Sequence, residues 1–460
     1  MSGHTLDPLL KPKSIAVIGA SRDRSKWGYK VLHNIVSSHY KGKVYPVNPT
    51  SQEILDIKCY PDVGSIPGEI DLGVVIVPAP AVPSVIDDCG GKGVRALCVI
   101  TSGFSEVGKE GAALEEELKK KVKSYGMRML GPNTMGFVNR SISLNASIVP
   151  RMPYRGEISF ISQSGALGLA LTDWSVGSRL GLNCIISTGN KADVSEADLL
   201  EYFEQDEDTW TIAMYIEGLK DGRDFIEAAS KVKKPMLAIK AGVSQAGARA
   251  AASHTGSLAG SDAVYDSAFR QCGVIRVEGV EEMFDAAMAV STQPRPKGNR
   301  VAILSNGGGM AIMASDACER RGMQVPQLNK YTKAGIAKLL PAFASVKNPV
   351  DTVAKSDYHI YKEAMRALID DKDIDCVMAI YAHAGMTDAM EPAQAVVDML
   401  KEKYPKPVVA CWMGGEDIDA VARMFRKNRV PFYPVPERAA EALRTLIEYD
   451  SSLVRKKVKR

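Results

Sequence analysis

Ser14-Ile15-Ala16-Val17-Ile18-Gly19-Ala20-Ser21 is the stretch that decides the fold. Its first five residues read as a short apolar strand. A glycine turn follows at once, and a helical pattern runs from about residue 28 to 37. A strand, a glycine turn and a helix start make an anion cradle, because backbone N–H groups and the helix dipole face one point. The glycines do not complete GxGxxG, so a nicotinamide dinucleotide is not specifically indicated. The same unit recurs at residues 43–49, 72–80, 96–104 and 127–133. Near-continuous apolar strands alternating with helices mean a parallel sheet covered on both faces. Ligands of such sheets bind beyond the strands' carboxyl ends. Those ends carry Ser21, Asn48, Pro49, Pro78, Pro80, Ser102, Gly103 and Asn133. Each alone reads as a turn residue; together they mark one binding edge.

A second series begins at Glu157-Ile158-Ser159-Phe160-Ile161. It turns at Ser162-Gln163-Ser164-Gly165-Ala166 and continues as helix to about residue 174. Cys184-Ile185-Ile186-Ser187-Thr188-Gly189-Asn190-Lys191 is its next strand and turn, with Asp193, Glu196 and Asp198 as acidic residues at a helix start. Thr211-Ile212-Ala213-Met214-Tyr215-Ile216-Glu217 then leaves a carboxylate at the end of a buried strand. The next strand leads into residues 240–262, KAGVSQAGARAAASHTGSLAGSD, a segment almost wholly of Gly, Ala and Ser. It reads as a mobile loop carrying His254, since glycine frees φ and small side chains anchor little. The other histidines, His4, His33, His39, His359 and His383, sit in no motif. An imidazole that attacks phosphorus with one nitrogen must keep its proton on the other. A carboxylate accepting that N–H fixes the tautomer and raises nucleophilicity. Glu217 and His254 are candidates for this pair.

Gln293-Pro294-Arg295-Pro296-Lys297-Gly298-Asn299 is a linker by composition. After it, Val301-Ala302-Ile303-Leu304-Ser305-Asn306-Gly307-Gly308-Gly309 repeats the earlier order of strand, Ser, amide, small-residue turn and helix. Two similar doubly wound domains follow from this, as a distant internal repeat. Residues 347–351 and 407–415 read as scaffold or partner interface.

The quoted pieces VIGAS, YPVNP, VIVPAP, ITSGF and GPNTMG resemble the CoA-binding domain of the succinyl-CoA synthetase superfamily. YIEG and ASHTGSLAG narrow the resemblance to the NDP-forming acyl-CoA synthetases, and within them to the alpha subunits of ADP-forming acetate–CoA ligases. The resemblance covers essentially the whole chain. It implies an α/β protein of three doubly wound domains. These are a Rossmann-like CoA-binding domain at 1–145, a flavodoxin-like domain bearing a phosphohistidine at 150–292, and a second flavodoxin-like ligase domain at 298–460. It implies CoA phosphates at Gly19, Ala20 and Ser21, with Arg22 as a candidate cation. The rest of CoA would pass Val47, Asn48, Pro49, Val77, Pro78, Pro80, Ser102, Gly103 and Phe104. His254 would be the phosphorylated residue, Glu217 its partner and Asn133 the neighbour of the thioester. Gln163, Ser164 and Gly165 on one side, and Asn306, Gly307, Gly308 and Gly309 on the other, would bind the phosphoryl group at two helix starts.

Length and composition agree with this class. The 460 residues suit about three domains, and the net charge of +4 is too small for a whole-surface nucleic-acid footprint. Eight scattered cysteines show no metal spacing, which suits a reducing cytoplasm. No apolar run reaches membrane-spanning length, and the first residues carry no signal-peptide core. No GxxxxGK[ST] appears, and three domains fill the length. ADP or ATP and Mg2+ are therefore expected mainly on a second polypeptide. The resemblance implies an ATP-grasp beta subunit in an alpha2beta2 assembly, with CoA or acyl-CoA and phosphate bound here and no metal site. Three rivals remain at this point. A dehydrogenase lacks its acidic residue, with Asn48 and Thr50 standing there. A CoA sensor, or the regulatory half of a protein acyltransferase, would need neither His254 nor Glu217. The third rival is a partner-binding scaffold.

Overall fold

In the computed structural model, all residues are described except 1–3, 178–179, 256–260, 354–356, 384–387, 403, 416 and 459–460. For 251–255 and 451–458 only the backbone is described. The chain divides into two compact units, Met1–Arg276 and Val277–Arg460.

The first unit holds two sheets. In the first, Ser14–Ile18 pairs in parallel with Lys43–Val47 on one side and Leu72–Val75 on the other. Ala96–Val99 and Arg128–Leu130 extend it, also in parallel. Every residue of Ser14–Ile18, Leu72–Val75 and Ala96–Val99 is buried, as expected of strands with helices over both faces. Gly19 turns the chain off the first strand at φ 90°, and a Cβ there would lie 2.3 Å from the Ile76 carbonyl oxygen. Helix Trp27–Ser37 starts against that turn: a Cβ on Gly28 would lie 2.0 Å from the Gly19 carbonyl oxygen. Neither close approach tolerates a side chain.

The second sheet has seven strands, in the order Val274–Arg276, Met236–Lys240, Thr211–Ile216, Tyr154–Ser162, Gly181–Ser187, Gly136–Asn139 and Leu144–Ser147. The first five are parallel, in the doubly wound order 2-1-3-4-5 when numbered along the chain. The hairpin of the last two strands pairs antiparallel with Gly181–Ser187. Residues 136–145, which the sequence grouped with the first domain, thus hydrogen-bond to the second sheet. Asn34 of helix Trp27–Ser37 reaches the end of that hairpin and donates to the Ser147 and Val149 carbonyls, at 2.9 Å each.

The expected loop at 240–262 is largely helical, over Gln245–Thr255 and again from Asp262 to Cys272. Alanine is the best helix former, and the run Gln245-Ala246-Gly247-Ala248-Arg249-Ala250-Ala251-Ala252 is rich in it. Ser244 supports the start: its hydroxyl accepts from the Gly247 N–H (3.0 Å) and its carbonyl from the Ala248 N–H (2.7 Å). Small residues that looked like freedom are here helix propensity. Residues 256–260 of the segment lie outside the described ones.

The second unit is built on a five-stranded parallel sheet in the order Val350–Asp351, Val301–Ser305, Cys376–Ala382, Val408–Met413 and Phe432–Tyr433. This is again 2-1-3-4-5. Helix Val280–Thr292 packs within this unit, where Asp285 takes a two-pronged ion pair from Arg438 (2.6 and 2.8 Å) and its carbonyl accepts from the Tyr433 hydroxyl.

Candidate functional site

A cavity of ≈ 960 Å³ opens in the first unit, where the carboxyl ends of its two sheets face each other. From the first sheet come Ile76, Val77, Pro78, Ala79, Ile100, Thr101 and Ser102, with Ser105, Glu106 and the half-exposed Trp27. Asn133, Thr134 and Met135 line it from the connection between the sheets. The second sheet adds Gln163, Ser164, Gly165 and Ala166 at one helix start, Gly189 to Lys191 at a strand end, and Glu217 to Lys220 at the next. Within each sheet the parallel strands put these turns on one edge, because their carboxyl ends point the same way.

Of the expected residues, Val77, Pro78, Ser102, Asn133, Gln163, Ser164, Gly165 and Glu217 share this cavity. Gly19, Ala20, Ser21, Arg22, Val47, Asn48, Pro49, Pro80, Gly103 and Phe104 do not line it. Several of these have structural work. The Gly19 and Ala20 N–H groups donate to the Val47 carbonyl, at 3.1 and 3.2 Å, so they do not point into an open cradle. Asn48 donates to the Ala20 carbonyl and accepts from the Thr50 N–H and hydroxyl. Arg22 donates to the Glu53 carbonyl. Phe104 is fully buried, and the N–H groups of Gly103 and Phe104 both donate to the Glu106 carboxylate. Asn306 to Gly309 belong to the second unit. His254 lies in the last turn of helix Gln245–Thr255, with its side chain outside the described residues.

The Gln163 amide, expected at the phosphoryl group, is bonded within the fold. Its Oε1 accepts from the Glu217 N–H (2.7 Å) and the Gly218 N–H (3.0 Å). Its Nε2 donates to the Gly218 carbonyl (2.8 Å) and to Glu196 Oε1. No donor of that amide remains for a ligand. In the second unit Asn306 donates to the Ala382 carbonyl (2.8 Å) and accepts from the Ala382 N–H (2.7 Å). The N–H of Gly307 is also engaged, by the Ser305 hydroxyl.

The Glu217 turn is gripped from three further sides. Lys191 Nζ donates to the Gly218 carbonyl (2.6 Å) and pairs with Glu196 at 3.1 Å. Lys240 Nζ donates to the carbonyls of Glu217 (2.8 Å) and Ala241, and lies 4.6 Å over the Tyr265 ring. The Tyr265 hydroxyl in turn accepts from the Leu219 N–H (3.0 Å). Among the described residues, the Glu217 carboxylate itself has no hydrogen bond or ion pair and borders the cavity. Its charge, after burial, helps push the Tyr215 phenol up. Burial lowers the ammonium pKa of both Lys240 and Lys220. For Glu106 burial raises the pKa, but hydrogen bonds from Asn190, Gly103 and Phe104 outweigh it and hold the carboxyl below its ordinary range. Asn190 also donates to Glu115 (2.7 Å) and Asn133 to Asn190 (3.2 Å), so Asn133 is held through a chain of amides and carboxylates.

Sequence reasoning missed Trp27, Glu106, Lys191, Lys220 and Tyr265 as cavity residues. Lys191 stood in a quoted turn without a role, and Glu196 was read as a helix-start acid. Ser195 and Asp198 form the capping box of helix Glu196–Gln205, while Glu196 turns inward and is buried. Among the described residues no cluster of His, Cys, Asp and Glu could hold a metal, and no helix is long and apolar enough to cross a membrane.

The chain matches three domain families: a CoA binding domain over residues 13–140, a succinyl-CoA ligase like flavodoxin domain over 155–290 and a ligase-CoA domain over 301–446. It is 44% identical to the alpha subunit of acetate–CoA ligase [ADP-forming] I of Pyrococcus furiosus, over 97% of this chain and 98% of that one. The alpha subunit of acetate–CoA ligase [ADP-forming] II of the same organism is 43% identical, over 96% and 97%. The solved structure of dinucleotide forming acetyl-coenzyme A synthetase 1 from Ca. Korarchaeum cryptofilum, in complex with phosphate and ADP, superimposes with a TM-score of 0.94 at 42% identity, covering 99% of this chain and 98% of that one. On domain order, extent and identity, the chain belongs to the family of ADP-forming acetate–CoA ligase alpha subunits.

Proposed function

We propose that this chain is the acyl-CoA-cleaving, phosphoryl-accepting subunit of an acetate–CoA ligase, catalysing acyl-CoA + ADP + phosphate ⇌ carboxylic acid + ATP + CoA. The observation that carries this is the shared cavity. The edge of the CoA-binding sheet, Asn133, the helix start at Ser164 and Gly165, and the Glu217 carboxylate all border one volume. A space of ≈ 960 Å³ suits an extended ligand far larger than an acyl group alone. Acetyl is the proposed acyl group, as in the relatives' names.

Pantetheine enters past Val77, Pro78 and Ser102. A phosphate oxygen attacks the thioester carbonyl carbon beside Asn133. The C–S bond breaks, CoA leaves as the thiolate, and an acyl phosphate forms. Phosphate is held at the helix start of Ser164 and Gly165, where the dipole favours an anion. Within the second unit, the start of helix Gly308–Arg320, with Asn306 orienting its turn, is a further helix start that favours an anion. A ring nitrogen of His254 then attacks phosphorus, the P–O bond breaks and the carboxylic acid departs as its anion. Glu217 accepts the remaining ring N–H and stabilises the cationic phosphoimidazole. The His254 segment carries the group to ADP and Mg2+ on an ATP-grasp beta subunit, in an alpha2beta2 assembly in the cytoplasm.

Incubation with acetyl-CoA and radioactive phosphate, with the partner subunit present, should give acid-labile, base-stable label on this chain. His254→Ala should abolish it. Label persisting in that variant would overturn the assignment.

A further inference from the structure

The Glu217–Gly218 turn carries the carboxylate that the proposed chemistry needs, yet side chains from elsewhere hold nearly all its backbone polar groups. They are the Gln163 amide and the ammonium groups of Lys240 and Lys191, the last braced by the Glu196 carboxylate. Lys191 and Glu196 keep only 9% and 4% of their side-chain surface exposed, and face each other at 3.1 Å. Taking such a pair out of water is expensive, and well-packed apolar residues often serve stability as well. Among the described residues, the equivalent turn in the second unit is met by one amide, Asn306, on one residue, Ala382.

Lys191 is also aimed. It sits at φ 56°, in the left-handed region that a lysine enters only at a cost. Its neighbours are pinned: Asn190 N–H donates to the Pro132 carbonyl (2.9 Å) and Ala192 N–H to the Gly131 carbonyl (3.0 Å). Lys220 Nζ donates to the carbonyl of Lys191 itself (2.8 Å). The ammonium that results is directed onto the Gly218 carbonyl at 2.6 Å, a charge-assisted bond.

We infer that Lys191 is a positioning residue for the ligase reaction: braced by Glu196, it locks the Glu217–Gly218 turn so that the Glu217 carboxylate faces the cavity at a fixed point. Its ammonium donates to Gly218 and pairs with Glu196, which ties it to the turn. The inference rests on the role proposed for Glu217. Its weight comes from geometry, since a displacement of about 1 Å at a reacting group can lower a rate roughly a hundredfold.

The test measures acetyl-CoA-dependent ATP formation by the chain with its partner subunit. Lys191→Met should lower kcat by ~10- to 100-fold while KM for acetyl-CoA stays within about twofold. In a Glu217→Ala background, Lys191→Met should have no further effect, because the group it positions is gone. An unchanged kcat, a rise confined to KM, or a full multiplicative loss in the Glu217→Ala background would each overturn the inference. If Lys191→Met does not fold, Glu196→Gln, which keeps volume and removes the brace, should still lower kcat, and an unaltered kcat there overturns it equally. Glu217→Ala labelling normally with radioactive phosphate would instead overturn the parent reading, independently of any Lys191 variant.

Discussion

The turns at Ser162-Gln163-Ser164-Gly165 and Ser305-Asn306-Gly307-Gly308 are two versions of one device. In each, the serine hydroxyl donates to a carbonyl two residues on, Ser164 in one (2.7 Å) and Gly307 in the other (3.0 Å). In each, a threonine N–H from the neighbouring strand donates to the serine carbonyl, Thr188 at 2.9 Å and Thr352 at 2.8 Å. In each, the amide side chain crosses to the next strand, meeting it two residues past the register position: Ser162 is opposite Tyr215 and Ser305 is opposite Ile380. The difference is one methylene. Among the described residues Asn306 spans a single one, Ala382, whereas Gln163 reaches both Glu217 and Gly218 and touches Glu196 as well. The longer amide is found where a carboxylate, a buried ion pair and a cavity converge. A shared fold explains the serine and threonine bonds; the additional reach and charge belong to the site.

The largest test of this contrast removes the carboxylate. Glu217→Gln should lower turnover by about 10²- to 10⁴-fold, the usual scale for a group that takes a proton or stabilises a cation in the reaction. Ala382→Glu, which places a carboxylate at the matching position of the other turn, should not restore it. Steady-state kinetics of both variants decides the point.

Next comes the ion pair. Removing Lys191 alone leaves Glu196 buried and unpaired, at a cost of roughly 3–5 kcal/mol of stability. The double change Lys191→Met with Glu196→Leu should recover most of that in chemical denaturation while turnover stays low. Stability and activity moving together would place the pair with the shared scaffold instead.

Exchanging the amides is milder. Gln163→Asn shortens the reach and should leave one peptide group of the Glu217–Gly218 turn without its partner, at a cost of about 1–3 kcal/mol. Asn306→Gln over-fills the tighter turn and should cost about 1–3 kcal/mol by strain. Denaturant midpoints of the two variants test the symmetry directly.

The smallest effect concerns pH. The Glu106 carboxyl is held below its ordinary range despite burial, so its contribution is present above the unfolded pKa and lost as pH falls through the folded one. Glu106→Gln should therefore be less stable than the parent by about 1 kcal/mol near neutrality, with the gap closing in acid. Thermal melts across that range would show it. The second unit has its own such carboxylate, Asp375, lowered by its two-pronged bond from Arg300 despite burial. The gap from Glu106 should leave melting of that unit unaltered.

Much of this was legible in the chain as written. A strand buried on both faces is apolar throughout, so Ser14–Ile18 and Val301–Ser305 stand out whatever surrounds them. Parallel order then places Val77, Pro78, Ser102, Asn133, Ser164 and Glu217 on carboxyl ends, which is where the cavity lies. Local patterns misled where two physical readings of one composition compete. Gly, Ala and Ser at 245–255 serve a loop or a helix equally, and the alanines decided it. Gly19 and Ala20 looked like a cradle because their N–H groups follow a strand; the neighbouring strand end at Val47 takes them up.

The sequence by itself determined the main parallel strands of the three sheets and the identity of the residues at their ends. Those follow from short-range rules: burial demands apolar runs, and turns demand small or polar residues. Tertiary structure alone decided which partner each polar group takes. Gln163, Lys191, Glu196 and Gly218 meet across separations of up to 55 residues, through side-chain reach and strand register that no local pattern encodes. Hydrogen bonding depends on tenths of an ångström, and that precision comes only when the sheets are packed.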